Sequence, residues 1–261
     1  MIVIDKLCYQ SKLRYVNTGE KFLFSMVTLL FCIISRSLLI AFIVFTVNGI
    51  LTIKMGGIPF FRYRKLIGVP LVFLFLSTAT ILVNFSKIPL DAFAFPIGSI
   101  YITGSFQSLR LCVQLIATAL ASVSCLYFLS LNTPMTDIMD FLRRIHCPVI
   151  IIELMLLIYR FIFVLLDTAS AITVSQHSRL GNKDFRTSVK SFGALGAALF
   201  IRAMKKSNAL YDAMESRCYD GRIRVLSESH PVNKKEVAWI ICFVILLLSV
   251  CLIERGTGWK I

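Results

Sequence analysis

Two short stretches carry an arginine in matching surroundings: Ser178-Arg179-Leu180 before Gly181, and Ser216-Arg217-Cys218 before Tyr219-Asp220-Gly221. A guanidinium presents five N–H donors in a rigid fork that suits carboxylates and carbonyls on another surface. That is recognition chemistry rather than bond-making chemistry. A second account needs no partner. An arginine in the last turn of a helix answers the negative helix end, and a following glycine closes the turn. The residues alone leave both accounts open.

A second constellation is Glu153, Arg160 and Asp167, which recur every seven residues and so share one stripe of a helix. Charges in a stripe are expensive against lipid and tolerable against protein or at an interface. They either hold a helix crossing against basic partners or serve packing alone. Gly193 and Ala197, four apart in a run of small residues, would allow close approach of a second helix.

Other chemistries are unsupported. The eight cysteines make no C-x-x-C pair, and the three histidines are scattered, so neither a disulfide framework nor a metal site is expected. Most of the cysteines lie in apolar runs and read as small hydrophobes. No G-x-x-x-x-G-K-[ST] loop occurs, so the chain should not bind ATP itself. No H-E-x-x-H or triad signature is present, so no catalytic residue is assigned and no cofactor is expected. Asp137 and Asp140, three apart, read as a solvated helix face.

The elements that must position these residues are set by hydropathy. Of the 261 residues 57% are hydrophobic, and the mean hydropathy is +0.80. The apolar runs are long and do not alternate, which points to membrane-crossing helices of roughly 20 residues rather than barrel strands. The net charge of +14 fits basic cytoplasmic loops, and no nucleic-acid motif accompanies it. No cleaved leader is expected, because the apolar run from Phe22 follows a mixed polar start with no small-residue cleavage site.

Residues Phe22–Ile53 carry basic flanks on both sides (Lys12, Arg14 and Lys21 before; Lys54, Arg62, Arg64 and Lys65 after). Two crossings with Arg36 in a tight outer turn satisfy both flanks. A third span is expected near Leu66–Phe85, an external loop over Ser86–Ser105, and a fourth span near Leu109–Leu131. Thr133 and Pro134 read as the cap and first position of a short helix Pro134–Arg144, ended by Pro148.

Val149–Val174 is apolar enough to span, but it has basic residues at both ends. It is read as lying along or within the inner leaflet, with a true span as the alternative. A second long helix follows near Asp184–Tyr219, capped by Asp184 and ended by Asp220-Gly221. A polar linker with Arg222, Arg224, Lys234 and Lys235 leads to a last span near Val237–Ile253, and Gly256–Trp259 form an external tail.

At this point the sequence resembles a family: the transmembrane T component of energy-coupling-factor (ECF) transporters, most closely the cobalt type, CbiQ. Ala213-Met214-Glu215-Ser216-Arg217-Cys218-Tyr219-Asp220-Gly221-Arg222-Ile223-Arg224 is similar to the family's Ala-Met-Glu-Ala-Arg-Gly-Tyr-Asp-Gly-Arg run. Thr133-Pro134, Asp137 and Arg160 resemble the stretch leading into its coupling helices, and the opening from Ile4 to Lys21 looks like the cobalt-type start. The resemblance implies that Ser178-Arg179-Leu180 and Ser216-Arg217-Cys218 dock into grooves on two ATP-binding-cassette ATPase subunits. Leu180 and Cys218 stand where the family commonly has glycine.

The expected fold is therefore an all-α polytopic membrane protein with about five transmembrane helices and three cytoplasmic-side coupling helices. Its expected division is residues 1–131 as four spans, 132–235 as the coupling region, and 236–261 as the last span and tail. By resemblance it would be a non-catalytic scaffold in the cell membrane with a cytoplasmic amino terminus. Its partners would be two ATPase subunits, a substrate-binding membrane subunit and the lipid bilayer, with no nucleic acid. The cargo would be cobalt ion, with nickel or a vitamin as alternatives. A membrane-embedded lipid-modifying enzyme and a channel are rival readings.

Overall fold

The structure, a computed structural model, describes residues 3–82, 84–86, 93–97, 100–104, 106–221, 223, 231 and 233–257. Arg222, Arg224 and the end of the tail from Gly258 lie outside them, as do Lys87, Pro89, Asp91 and Gly98 of the expected loop. The chain forms two compact units. One is Thr136–Glu228; the other joins Ile2–Met135 to Ser229–Ile261.

In the larger unit, α1 (Val3–Gln10) and a 3-10 turn lead into α2 (Thr18–Ser35), which Asn17 caps through a 2.9 Å bond from the Gly19 amide. Arg36 closes α2 in the left-handed region at φ 47°. Ser37 then caps α3 (Leu38–Ile50), accepting from the Ile40 amide at 3.4 Å. The paired basic flanks therefore read correctly as a hairpin. A π turn over Leu51–Met55 ends α3.

The next helix, α4 (Phe60–Leu82), starts earlier than expected and takes Arg62, Arg64 and Lys65 into its first turns. The described part of the expected external loop is a small antiparallel sheet rather than irregular chain. Its strands are β1 (Asn84–Ser86), β2 (Phe93–Ile97) and β3 (Ile100–Gly104), in the order β1-β3-β2. Aromatic and β-branched residues such as Phe93, Phe95, Ile100 and Ile102 favour strand over loop here.

The core forms where α2, α3 and α5 (Phe106–Asn132) meet, with Phe24, Ile40, Val44, Ala121 and Cys125 buried together. Helices in lipid gain little from apolar burial against one another, so polar bonds and close packing hold them. The Ser25 hydroxyl donates to the Cys125 carbonyl at 2.8 Å, and Asn48 Nδ2 approaches Cys125 Sγ at 3.2 Å. At the end of α5 the buried Lys21 ammonium donates to the carbonyls of Asn132 (3.1 Å) and Leu13 (3.0 Å). A cation is well placed at a helix carboxyl end.

The smaller unit holds α6 (Met135–Arg144), α7 (Val149–Ser178) and α8 (Phe185–Glu215). Thr133 does not cap α6: its hydroxyl is buried with no hydrogen-bond partner among the described residues. Pro148 stands at the N-cap of α7 and so opens that helix; α6 has already turned off at His146, φ 64°. The last helix of the chain, α9 (Lys234–Thr257), belongs to the larger unit.

The fold is all-α and polytopic apart from the small sheet. Among the described residues, six helices are long and apolar enough to cross a membrane: α2, α3 with its π turn, α4, α5, α7 and α9. The sixth beyond the expected five is α7, the helix that charge counting assigned to the inner leaflet.

Candidate functional site: the α7–α8 hairpin

The chain reverses between α7 and α8 through a tight turn. Arg179 is the C-cap residue just past α7, at φ −101°, and Leu180 follows at φ 57°. The Leu180 amide donates to the His177 carbonyl at 3.1 Å, and the Gly181 amide to Gln176 at 2.8 Å. That pair of bonds defines a Schellman motif, with Leu180 at the left-handed position usually held by glycine.

The end of α8 repeats it. Cys218 sits at φ 58°, its amide donates to Glu215 at 3.0 Å, and the Tyr219 amide donates to Met214 at 3.1 Å. Arg217 therefore occupies the position that Arg179 occupies in α7. Both arginines are exposed. The helix stops at Glu215, short of the expected Asp220-Gly221, because Cys218 itself takes the left-handed turn. Asp184 stands at the N-cap of α8, but its side chain makes no capping bond.

Two polar clasps close the hairpin. At one end Gln176 Nε2 donates to the Ser191 carbonyl (2.8 Å) and the Ser191 hydroxyl to the Gly181 carbonyl (2.7 Å). Gly181 must be glycine: a Cβ there would stand 2.8 Å from the Gln176 carbonyl oxygen and 3.0 Å from Ser191 Oγ. At the other end Glu153, only 3% exposed, receives the Tyr219 hydroxyl on Oε2 and the Ile223 amide on Oε1, each at 2.7 Å. The bond to the carboxylate raises the Tyr219 phenol above its ordinary pKa of 10.0. The clasps run from the start of α7 to the end of α8 and from the end of α7 to the start of α8, so the two arginines lie at opposite ends.

The expected charged stripe thus divides. Glu153 is buried in the clasp, whereas Arg160 and Asp167 are exposed. Between the clasps the helices stand apart around a cleft of about 700 Å³, whose walls include Arg160 from α7 and Arg202, Lys205 and Lys206 from α8. A smaller cavity of about 350 Å³ lies toward the turn, beside Arg179 and Arg202. Gly193 and Ala197 make no close crossing within the hairpin. Ala197 is exposed, and nothing lies within 4 Å of a Cβ built on Gly193.

Sequence reasoning missed the Glu153–Tyr219 clasp and the placing of Arg160 opposite Arg202, Lys205 and Lys206. The i, i+3, i+4 spacing of Arg202, Lys205 and Lys206 was the available signal for the second. No group of three or more His, Cys, Asp or Glu residues able to hold a metal occurs among the described residues.

The model of the CbiQ cobalt transport protein family matches residues 10–228, which takes in this hairpin and most of the helices before it. The chain belongs to the CbiQ family. It is 32% identical over 256 residues to an uncharacterised protein of Methanocaldococcus jannaschii, covering 97% of this chain and 94% of that one. It is also 26% identical over 230 residues to the cobalt transport protein CbiQ of Salmonella typhimurium, covering 85% and 98%. A shorter match, 36% identical over 97 residues and 36% of each chain, is to the energy-coupling factor transporter transmembrane protein EcfT of Ruminiclostridium cellulolyticum. CbiQ proteins are membrane components of transport systems, not enzymes, and with its six apolar helices this member is a multi-pass membrane protein.

Proposed function

We propose that this CbiQ-family chain is the transmembrane coupling subunit of an ECF-type importer. In this reading it sits in the cell membrane with its amino terminus in the cytoplasm. Ser178-Arg179-Leu180 and Ser216-Arg217-Cys218 each engage one ATP-binding-cassette ATPase subunit. The hairpin transmits their ATP-driven motion to a separate substrate-binding membrane subunit, and the cargo is cobalt ion.

The observation that carries the reading is the repeated helix end, which exposes two arginines in the same position of the same motif at opposite ends of one hairpin. A guanidinium fork on a rigid helix end suits a carboxylate or carbonyl groove on a partner. The exposed apolar residues of α8, among them Phe185, Phe192, Phe200 and Ile201, further support a partnered surface.

The test is co-purification from membranes that also express candidate ATPase subunits and the substrate-binding subunit. Wild type should bring down the ATPases, and the Arg179→Ala/Arg217→Ala double variant should lose most of them while still inserting. Normal recovery and full transport by the double variant would end the docking assignment. Uptake of labelled cobalt against nickel by cells holding the whole complex tests the cargo.

A further inference from the structure

We propose that the cleft between α7 and α8 is a binding site for one anionic phospholipid, its phosphate among the four cations and its acyl chains along the apolar walls. This assignment stands apart from the coupling reading and needs no ATPase.

The cleft's volume of about 700 Å³ falls within the range of roughly 300–1,000 Å³ typical of small-ligand sites. Leu157, Phe161 and Val164 of α7 face Leu210 of α8 across it, giving an apolar trough. Arg160, Arg202, Lys205 and Lys206 also line it. None of these four makes a hydrogen bond or ion pair with another described residue, and all four are exposed. Arg202, Lys205 and Lys206 are neighbours on one helix face, where like charges repel. Such a cluster is stabilised when an anion enters it.

The chemistry of the walls selects the occupant. A free phosphate would use the cations and leave the trough bare, and a zwitterionic lipid would bring a second positive charge to them. An anionic lipid satisfies both surfaces. The most apolar 18-residue window of α7 has a mean hydropathy of 2.7, that of a helix in contact with an apolar phase. Basic clusters at such positions recruit anionic headgroups. The polar clasps at both ends of the hairpin bound the trough along the helix axes.

The experiment uses the full chain purified in a neutral detergent, titrated with phosphatidylglycerol or phosphatidylcholine. Bound lipid is counted by native mass spectrometry, and the thermal unfolding midpoint is followed in parallel. Phosphatidylglycerol should bind saturably with one tight copy and raise the midpoint, and phosphatidylcholine should not. Arg202→Gln/Lys205→Gln/Lys206→Gln should weaken that binding at least tenfold. Arg160→Gln, on the opposite wall, should weaken it severalfold. Lys234→Gln/Lys235→Gln, which removes cations elsewhere, should leave it unchanged.

Equal binding of the two lipids, or retained affinity in both cleft variants, overturns the proposal. Displacement of phosphatidylglycerol by millimolar inorganic phosphate would reassign the cleft to a free anion. A photo-crosslinker at Leu210 that captures a partner protein and no lipid in assembled complexes would reassign it to a protein helix. Either result ends the lipid assignment.

Discussion

Glu153 and Tyr219 lie 66 positions apart in the chain, and their side-chain oxygens meet at 2.7 Å. The bond ties the first turns of α7 to a residue two positions past Arg217. A buried carboxylate needs its lone pairs filled, and here the other oxygen takes the Ile223 amide. The orientation of the α8 end is therefore set from α7.

Replacing Glu153 should release that end. In Glu153→Ala the Ile223 amide loses its acceptor, and its hydrogen exchange should quicken by about tenfold, the size expected for a lost bond to a charged acceptor. Glu153→Gln should fall between, because one amide oxygen remains. Exchange at the Leu180 and Gly181 amides, at the opposite clasp, should change little. Mass-spectrometric exchange on the detergent-solubilised chain reads both ends in one experiment.

The same bond makes a pH prediction. The Glu153 carboxylate holds the Tyr219 phenol above its ordinary value of 10.0. A folded-state pKa raised above the unfolded one adds stability that is complete below the unfolded value. That stability fades as pH climbs from about 10 through the raised value. Tyrosinate absorbance of wild type minus Tyr219→Phe should isolate a late-titrating phenol. In Glu153→Gln that phenol should titrate earlier, and no change would remove Glu153 as the cause.

The left-handed residues Leu180 and Cys218 give a third prediction. Both side chains are exposed, so little packing is lost by removing them. An L residue in this region is disfavoured by about 1–2 kcal/mol, part of which glycine returns as extra freedom of the unfolded chain. Leu180→Gly and Cys218→Gly should each stabilise the hairpin by roughly 0.5–1 kcal/mol. Leu180→Val, β-branched, should destabilise it. Thermal unfolding of the four proteins in one detergent checks the order.

Much of this architecture was readable from residue order, and the misses have causes. The α2–α3 hairpin followed from basic flanks on both sides of one apolar stretch. The two Ser-Arg helix ends were visible as a repeat. Their boundaries were misplaced in α8 because glycine was taken as the stop signal, whereas Cys218 makes the turn three residues before Gly221. Gly193 and Ala197 suggested a close crossing that the hairpin does not make, since small-residue spacing permits contact without requiring it. Thr133 was a reasonable cap by type, but burial of its hydroxyl took it out of reach. Glu153's partners are supplied by the return of α8, and no local pattern announces a contact across 66 positions.

The clasps have a mechanical corollary. A helix of 30 residues is about 45 Å long at 1.5 Å per residue, and each clasp fixes one end of α7 to one end of α8. The hairpin is thus a spreader bar with a guanidinium at either tip. Anything gripping both tips can tilt or swivel the bar, but cannot draw the tips together without breaking a clasp. Two bodies that close on each other while holding it must convert their approach into rotation.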